Sequence, residues 1–156
     1  MQENPQIQRP SFHPTPQTLP SEKGAYVLWL VLESPLPLAL PGKPPLTLAA
    51  GQYLYCGSAR GPGGLKARLS RHWRREKSLR WHIDRLSTEG RVMGAWCFPG
   101  GDECALVARL AETAGWRHPL PGFGSSDCPD CPSHLLFQSG EAGPDSLPRD
   151  WPSPSP

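Results

Sequence analysis

The chain has 156 residues and a formal charge of only +2, and its 21 prolines and 16 glycines make nearly a quarter of all positions turn-formers, about twice the usual background of roughly 12%. Five prolines fall in residues 1–22 and five in 144–156, so both ends lack the apolar residues that offset chain entropy and are expected to be disordered. The remainder, 23–138, holds one domain with a modest core and excludes a two-domain enzyme with separate cofactor and substrate lobes.

Residues 24–32, Gly-Ala-Tyr-Val-Leu-Trp-Leu-Val-Leu, are apolar without polar alternation, the pattern of a central strand covered on both faces. Ser34 to Pro45 carries five prolines in twelve positions and reads as an extended surface connection. A second strand is expected over Gly51 to Gly57, with Tyr53 and Tyr55 on one face and Leu54 and Cys56 on the other. The two strands pair as a hairpin with a long loop. After the glycine-rich turn at 57–64, Leu65, Leu69 and Trp73 recur every four residues and predict an amphipathic helix to about Lys77. Arg68, His72 and Arg75, at i, i+4 and i+7, form a neighbouring stripe where the helix meets the sheet.

Ser78 can cap a second short helix through Trp81-His82-Ile83-Asp84-Arg85-Leu86, ending near Gly90, with Trp81 and Ile83 inward. Arg91 to Phe98 predicts a third strand, closed by Pro99-Gly100-Gly101. Asp102 fits as the N-cap of a helix with Leu106, Val107, Leu110 and Ala114 inward and Gly115 as its stop, which puts Glu103 in the first turn. From Pro119 turn chemistry returns, followed by a short apolar stretch, Leu135 to Phe137. The expected fold class is α+β: one small domain over 23–138, with a three-stranded, mainly antiparallel sheet flanked by helices, between disordered Pro-rich tails over 1–22 and 139–156.

The longest apolar run, around Tyr26 to Leu32, falls far short of the roughly 20 residues of a membrane-spanning helix. The first 20 residues have no apolar stretch of the kind a secretory signal needs. Five cysteines is an odd number, with Cys56, Cys97 and Cys104 scattered in apolar or helical contexts, so a reducing cytoplasm is the expected setting. Charge is uneven: Arg60 to Arg91 holds ten Lys or Arg against Glu76, Asp84 and Glu89. A basic face on a near-neutral chain suits an anionic partner such as nucleic acid, through Arg60, Lys66, Arg71, Arg75, His82 and Arg85, although a solvated helix face has the same composition.

Two tyrosine tripeptides, Gly24-Ala25-Tyr26 and Tyr55-Cys56-Gly57, precede a helix with Arg68 and His72 and a later one with Glu103. This order resembles the GIY-YIG nuclease superfamily. More closely, the chain is similar to its small Uri-type branch (domain of unknown function 123) through Gly-Gln-Tyr-Leu-Tyr-Cys-Gly-Ser-Ala at 51–59, Arg68-Leu-Ser-Arg-His72, Trp81-His-Ile-Asp84, Glu103-Cys104 and Gly122-Phe-Gly-Ser-Ser-Asp-Cys128. Ala25 and Cys56 stand where the name has Ile, and a proline-rich insertion separates Tyr26 from Tyr55. The resemblance spans about 23–138 and implies a GIY-YIG-like fold, metal-dependent cleavage of nucleic acid, most simply DNA, and catalytic roles for Tyr26, Tyr55, Arg68, His72 and Glu103.

The chemistry supports that set independently. Phosphodiester hydrolysis needs a base for the attacking water, positive charge on the phosphoryl oxygens and help for the leaving oxygen. Arg68 has the planar fork suited to phosphate, and Glu103 offers a hard oxygen ligand for Mg or Mn. Tyr26 is the leading base candidate, on the condition that a cation such as Arg68, the metal or His72 offsets its ordinary pKa near 10. Cys128, Cys131 and His134, with two residues between each pair, have zinc-knuckle spacing, and Cys104 is the fourth ligand by elimination; free thiols beside a packed His134 are the alternative. The expectation is a Mg- or Mn-dependent endonuclease with no small-molecule cofactor and no membrane partner. The alternative is a catalytically inactive nucleic-acid-binding or protein-interaction module on the same scaffold.

Overall fold

The computed structural model describes residues 10–39, 44–74, 82–113, 116–117, 133–138, 147–148 and 150–154. The strands are β1 (Ser11–His13), β2 (Gly24–Leu32), β3 (Leu36–Leu38), β4 (Leu46–Leu48), β5 (Gly51–Ala59), β6 (Arg91–Pro99) and β7 (Leu135–Gln138). The helices are α1 (Gly64–Trp73), α2 (His82–Glu89) and α3 (Glu103–Ala111), with a single 3-10 turn at Pro16–Thr18.

The three long strands form where their apolar patterns predict, but the expected three-stranded sheet is incorrect. The main sheet has five strands in the order β1-β6-β2-β5-β7, and every adjacent pair is antiparallel. The two additions, β1 and β7, have three and four residues, too short to show a period and defined by the neighbour they pair with. A separate ribbon pairs β3, inside the stretch expected to be a plain connection, with β4 just after it, and Pro37 pairs with Thr47 there. Proline is tolerated in a two-stranded ribbon because each strand has an outer edge on which the missing N–H costs no ladder bond.

Alternation along β2 and β5 divides the core in two. One face carries Tyr26, Leu28, Leu30, Tyr53 and Tyr55 against Leu65 and Leu69 of α1 and Ile83 and Leu86 of α2. The other carries Val27, Trp29, Leu54, Cys56 and Trp96 against Leu106, Val107 and Leu110 of α3. The molecule is thus a sheet between two helical layers, with α1 and α3 on opposite faces. Trp29 donates its indole N–H to Gln52 at 2.6 Å, which satisfies both polar groups within the apolar layer.

The tails expected to be disordered supply structure in the parts described. Beyond β1, the carbonyls of Pro20 and Glu22 accept from the backbone N–H groups of Lys66 and Leu65 at 2.8 and 2.9 Å. These are first-turn donors of α1 with no partner inside the helix. Gly64, at φ +60°, permits the approach, since a Cβ there would collide with the Ser21 carbonyl. At the other end Trp151 is buried against Phe98 and Trp96, with ring centroids 5.0 and 6.0 Å apart. Trp96 donates its indole N–H to the Pro152 carbonyl at 2.8 Å, and Asp150 accepts twice from the exposed Arg109, at 2.9 and 2.6 Å.

α1 ends at Trp73, short of Lys77, because Arg74 is extended. α3 starts as expected, with the Asp102 carboxylate accepting from the Ala105 N–H at 3.1 Å, and ends at Ala111 with Glu112 as its C-cap. Ala114, Gly115, Ser78 and Trp81 lie outside the described residues. Among the described residues no helix is long and apolar enough to cross a membrane.

Candidate active site

The site is organised around the Tyr26 hydroxyl. β2 and β5 pair so that Tyr26 lies opposite Gly57. The phenol crosses over that glycine, where a Cβ would sit 2.5 Å from both Cζ and the hydroxyl oxygen. Any other residue at 57 would push the ring aside, which gives the glycine of the second tripeptide a steric reason. Tyr55 brings a second ring to 6.4 Å from that of Tyr26.

α1 contributes the next layer. The Tyr26 hydroxyl and His72 Nε2 are 2.9 Å apart and buried, with ring centroids 5.5 Å apart. Arg68, one turn earlier and half-buried, hydrogen-bonds to the same phenol. The guanidinium can only donate, so the phenol accepts from Arg68, while the direction of its hydrogen bond with His72 follows the imidazole tautomer. Glu103, half-buried in the first turn of α3, completes the group: its negative charge acts on both tyrosines.

Burial decides the protonation of the phenols. Tyr26 has no exposed surface, and desolvation pushes its pKa up to about 12 against the lowering effects of Arg68, with Glu103 and Asp84 adding to the rise. Burial drives Tyr55 higher still, assisted by Tyr26 and Glu103 and opposed by Arg68. Arg68 is therefore well placed to poise Tyr26 but loses to desolvation, and both phenols stay protonated at neutral pH. Tyr53, whose hydroxyl donates to the Ala49 carbonyl at 2.6 Å, is also raised to about 12 by burial.

All three tyrosines of the chain thus ionise more easily unfolded than folded. The stability they contribute is complete below about pH 10 and is lost as pH rises towards 12. Alkaline titration followed by tyrosinate absorbance and by circular dichroism is expected to show phenol ionisation and loss of structure together in that window. Tyrosinate appearing near pH 10 with the fold intact would contradict the burial of these rings.

The expected basic contacts divide. Arg60, Lys66 and Arg85 are exposed, and Arg60 also reaches the Gly101 carbonyl at 3.4 Å. Arg71 is committed inside the protein: its Nη2 donates to Asp84 Oδ2 at 2.8 Å, with side-chain exposures of 15% and 0%. Arg71, expected at the nucleic-acid face, is thus engaged by Asp84 in an α1–α2 ion pair. The pair was missed because Arg71 and Asp84 lie 13 positions apart on different helices, with no local spacing to link them. Arg75 lies outside the described residues, as does the side chain of His82, the first residue of α2.

Of the expected zinc ligands, Cys104 and His134 meet, with Sγ and Nε2 3.9 Å apart. Cys128 and Cys131 lie outside the described residues. Among the described residues no three metal-ligating side chains of the usual kinds cluster together.

Comparison with curated proteins and with solved structures gave no match. Comparison with protein families gave one: the model of the domain of unknown function DUF123 matches residues 25–148, which run from the second residue of β2 through β7 and include all five residues of the candidate site. The chain belongs to the DUF123 family, a GIY-YIG-like family.

Proposed function

We propose that this protein is a metal-dependent endonuclease of the Uri-type GIY-YIG branch that hydrolyses phosphodiester bonds in nucleic acid, with DNA as its substrate. The observation that carries the reading is the convergence of Tyr26, Arg68, His72, Tyr55 and Glu103, from β2, α1, β5 and α3, around one buried phenol.

In this mechanism Arg68 binds a phosphoryl oxygen and stabilises the charge that grows there in the transition state. Tyr26 and His72, fully enclosed, act through Arg68 and are positioning residues: the phenol fixes the guanidinium by accepting from it, and His72 fixes the phenol. Tyr55, protonated and 5% exposed, is the phenol nearer to solvent and donates to a phosphate oxygen. Glu103 fits a hard divalent cation, since its half-buried carboxylate is close enough for its charge to act on both tyrosines, while Asp84 is engaged by Arg71. A Mg or Mn ion held by Glu103 would acidify water and stabilise the leaving oxygen. Bond cleavage follows from water attacking phosphorus as the P–O bond to the leaving alkoxide breaks, with one proton lost from the water and one gained by the alkoxide.

Arg60, Lys66 and Arg85 would guide the phosphate backbone to this centre without reading bases. Lys66→Ala is expected to reduce the slope of log K against log salt by about one. An unchanged slope in filter binding would remove Lys66 from the phosphate contact. The test of activity is incubation with labelled single-stranded, duplex, flapped and branched DNA and with RNA. Cleavage in Mg or Mn and none in EDTA is the expected result.

A further inference from the structure

Near its C-terminus the chain returns to the α3 side of the sheet and is held there by side-chain contacts rather than by a strand ladder. Trp151 is 7% exposed and lies outside every strand. Its ring packs on Phe98 with 5.0 Å between centroids and 60° between planes, and on Trp96 with 6.0 Å and 46°. The Trp96 indole N–H donates to the next carbonyl along, that of Pro152, at 2.8 Å. One residue before the ring, Asp150 accepts from both terminal nitrogens of Arg109 on α3, at 2.9 and 2.6 Å. The Trp151 N–H donates back to the Pro148 carbonyl at 3.1 Å, which folds the segment into a turn.

Consecutive residues of the segment therefore meet the domain as a bound peptide would. A buried tryptophan is the large, stiff anchor typical of binding hot spots, and aromatic surface is what proline-containing segments dock on. The Arg109–Asp150 fork is exposed, at 47% and 67%, so it adds direction more than affinity. The sequence is also pre-organised: prolines at 152, 154 and 156 alternate with Trp151, Ser153 and Ser155, and a residue before proline is biased to extended backbone, which lowers the entropy lost on docking. The receiving face has support of its own. Trp96 packs against Phe12 and Trp29, with centroids 4.8 and 6.2 Å away, and Leu106, Val107 and Leu110 seat α3 on the sheet.

We propose that Trp96, Phe98 and Arg109 form a peptide-recognition site for an Asp-Trp-Pro sequence, that Asp150-Trp151-Pro152 is its ligand in cis, and that the same segment of a second copy can take its place. Nothing in the contacts requires both sides to belong to one chain. The tether keeps the cis ligand at an effective concentration on the order of millimolar, so a second copy gains the site only when the cis segment is weakened. The occupied site ties β6 to α3, the helix that starts at Glu103. The inference does not rest on the nuclease reading, because its test reads binding and hydrogen exchange rather than cleavage.

The probe is a fluorescein-labelled peptide of residues 147–156, read by anisotropy against the full chain. Trp151→Ala, which removes the cis ring and leaves Trp96, Phe98 and Arg109 intact, is expected to bind the peptide about tenfold or more tighter than the wild type, whose site is filled in cis. Adding Arg109→Ala to that variant weakens the peptide by about two- to fivefold. No binding of the peptide to folded Trp151→Ala at about 1 mM would overturn the proposal. If that variant does not fold, hydrogen exchange in the wild type decides. Release of the segment exposes the Trp96 indole N–H by local opening, so this proton is expected to exchange about tenfold or more faster than the slowest amides of β2. Exchange of the indole proton only with global unfolding would make the segment an inseparable part of the fold and overturn the proposal.

Discussion

Arg71→Ala is expected to destabilise the domain by about 3–5 kcal/mol, because it leaves the Asp84 carboxylate buried without its cation. Asp84 has no exposed side-chain surface and Arg71 keeps 15%, so the penalty falls mainly on the stranded carboxylate. Replacing both residues together with apolar side chains of similar size should recover most of the loss, since two charges need not then be held out of water. Urea unfolding with an unchanged m-value reads both effects as midpoint shifts. A loss within about 0.5 kcal/mol for Arg71→Ala would mean the pair opens in solution and leaves Arg71 to reach phosphate instead. The pair joins α1 to α2 beside the residue that holds Tyr26, because Arg71 immediately precedes His72. Partial unfolding of this variant would therefore disturb the site without touching it directly.

Arg68→Ala is expected to reduce kcat about 10²–10³-fold, the cost of losing one preorganised donor to a developing negative charge. Arg68→Lys should rescue little, because an ammonium cannot reproduce the planar fork. Tyr26→Phe is expected to cost less than Arg68→Ala, and the double variant should be no slower than Arg68→Ala alone, since Tyr26 acts through the guanidinium. Single-turnover rates on the best substrate of the nucleic-acid panel measure this cycle. If Tyr26→Phe were slower than Arg68→Ala and the two losses multiplied, Tyr26 would take part in proton transfer itself despite a pKa near 12.

The elements legible in the sequence are those whose signal is local. β2 was readable as a continuous apolar run, α1 from Leu65, Leu69 and Trp73, and the start of α3 from the Asp102 cap. β1 and β7 were not readable as strands of the sheet, because three or four residues carry no period and their place comes from pairing with β6 and β5. The placement of the described parts of the proline-rich tails was hidden for a related reason. What fixes them is remote: the first turn of α1 for Pro20 and Glu22, and the aromatic surface of Trp96 and Phe98 for Trp151.

Within the site, motif order was enough to nominate Tyr26, Tyr55, Arg68, His72 and Glu103. The role of Tyr26 was not legible. The sequence places a phenol near a possible cation, but only the folded structure reveals that desolvation outweighs Arg68 and holds the proton on. Asp84 was readable only as a polar residue of a short helix, and its charge acquires meaning through Arg71 on another helix.

The most direct test of the central claim is cleavage of the nucleic-acid panel by the wild-type protein and by Glu103→Ala, in Mg, in Mn and in EDTA, with binding measured in parallel. The account predicts metal-dependent cleavage by the wild type and its loss in Glu103→Ala, with binding retained. Binding without cleavage by the wild type in every combination would contradict it and assign the fold to a non-catalytic nucleic-acid-binding role.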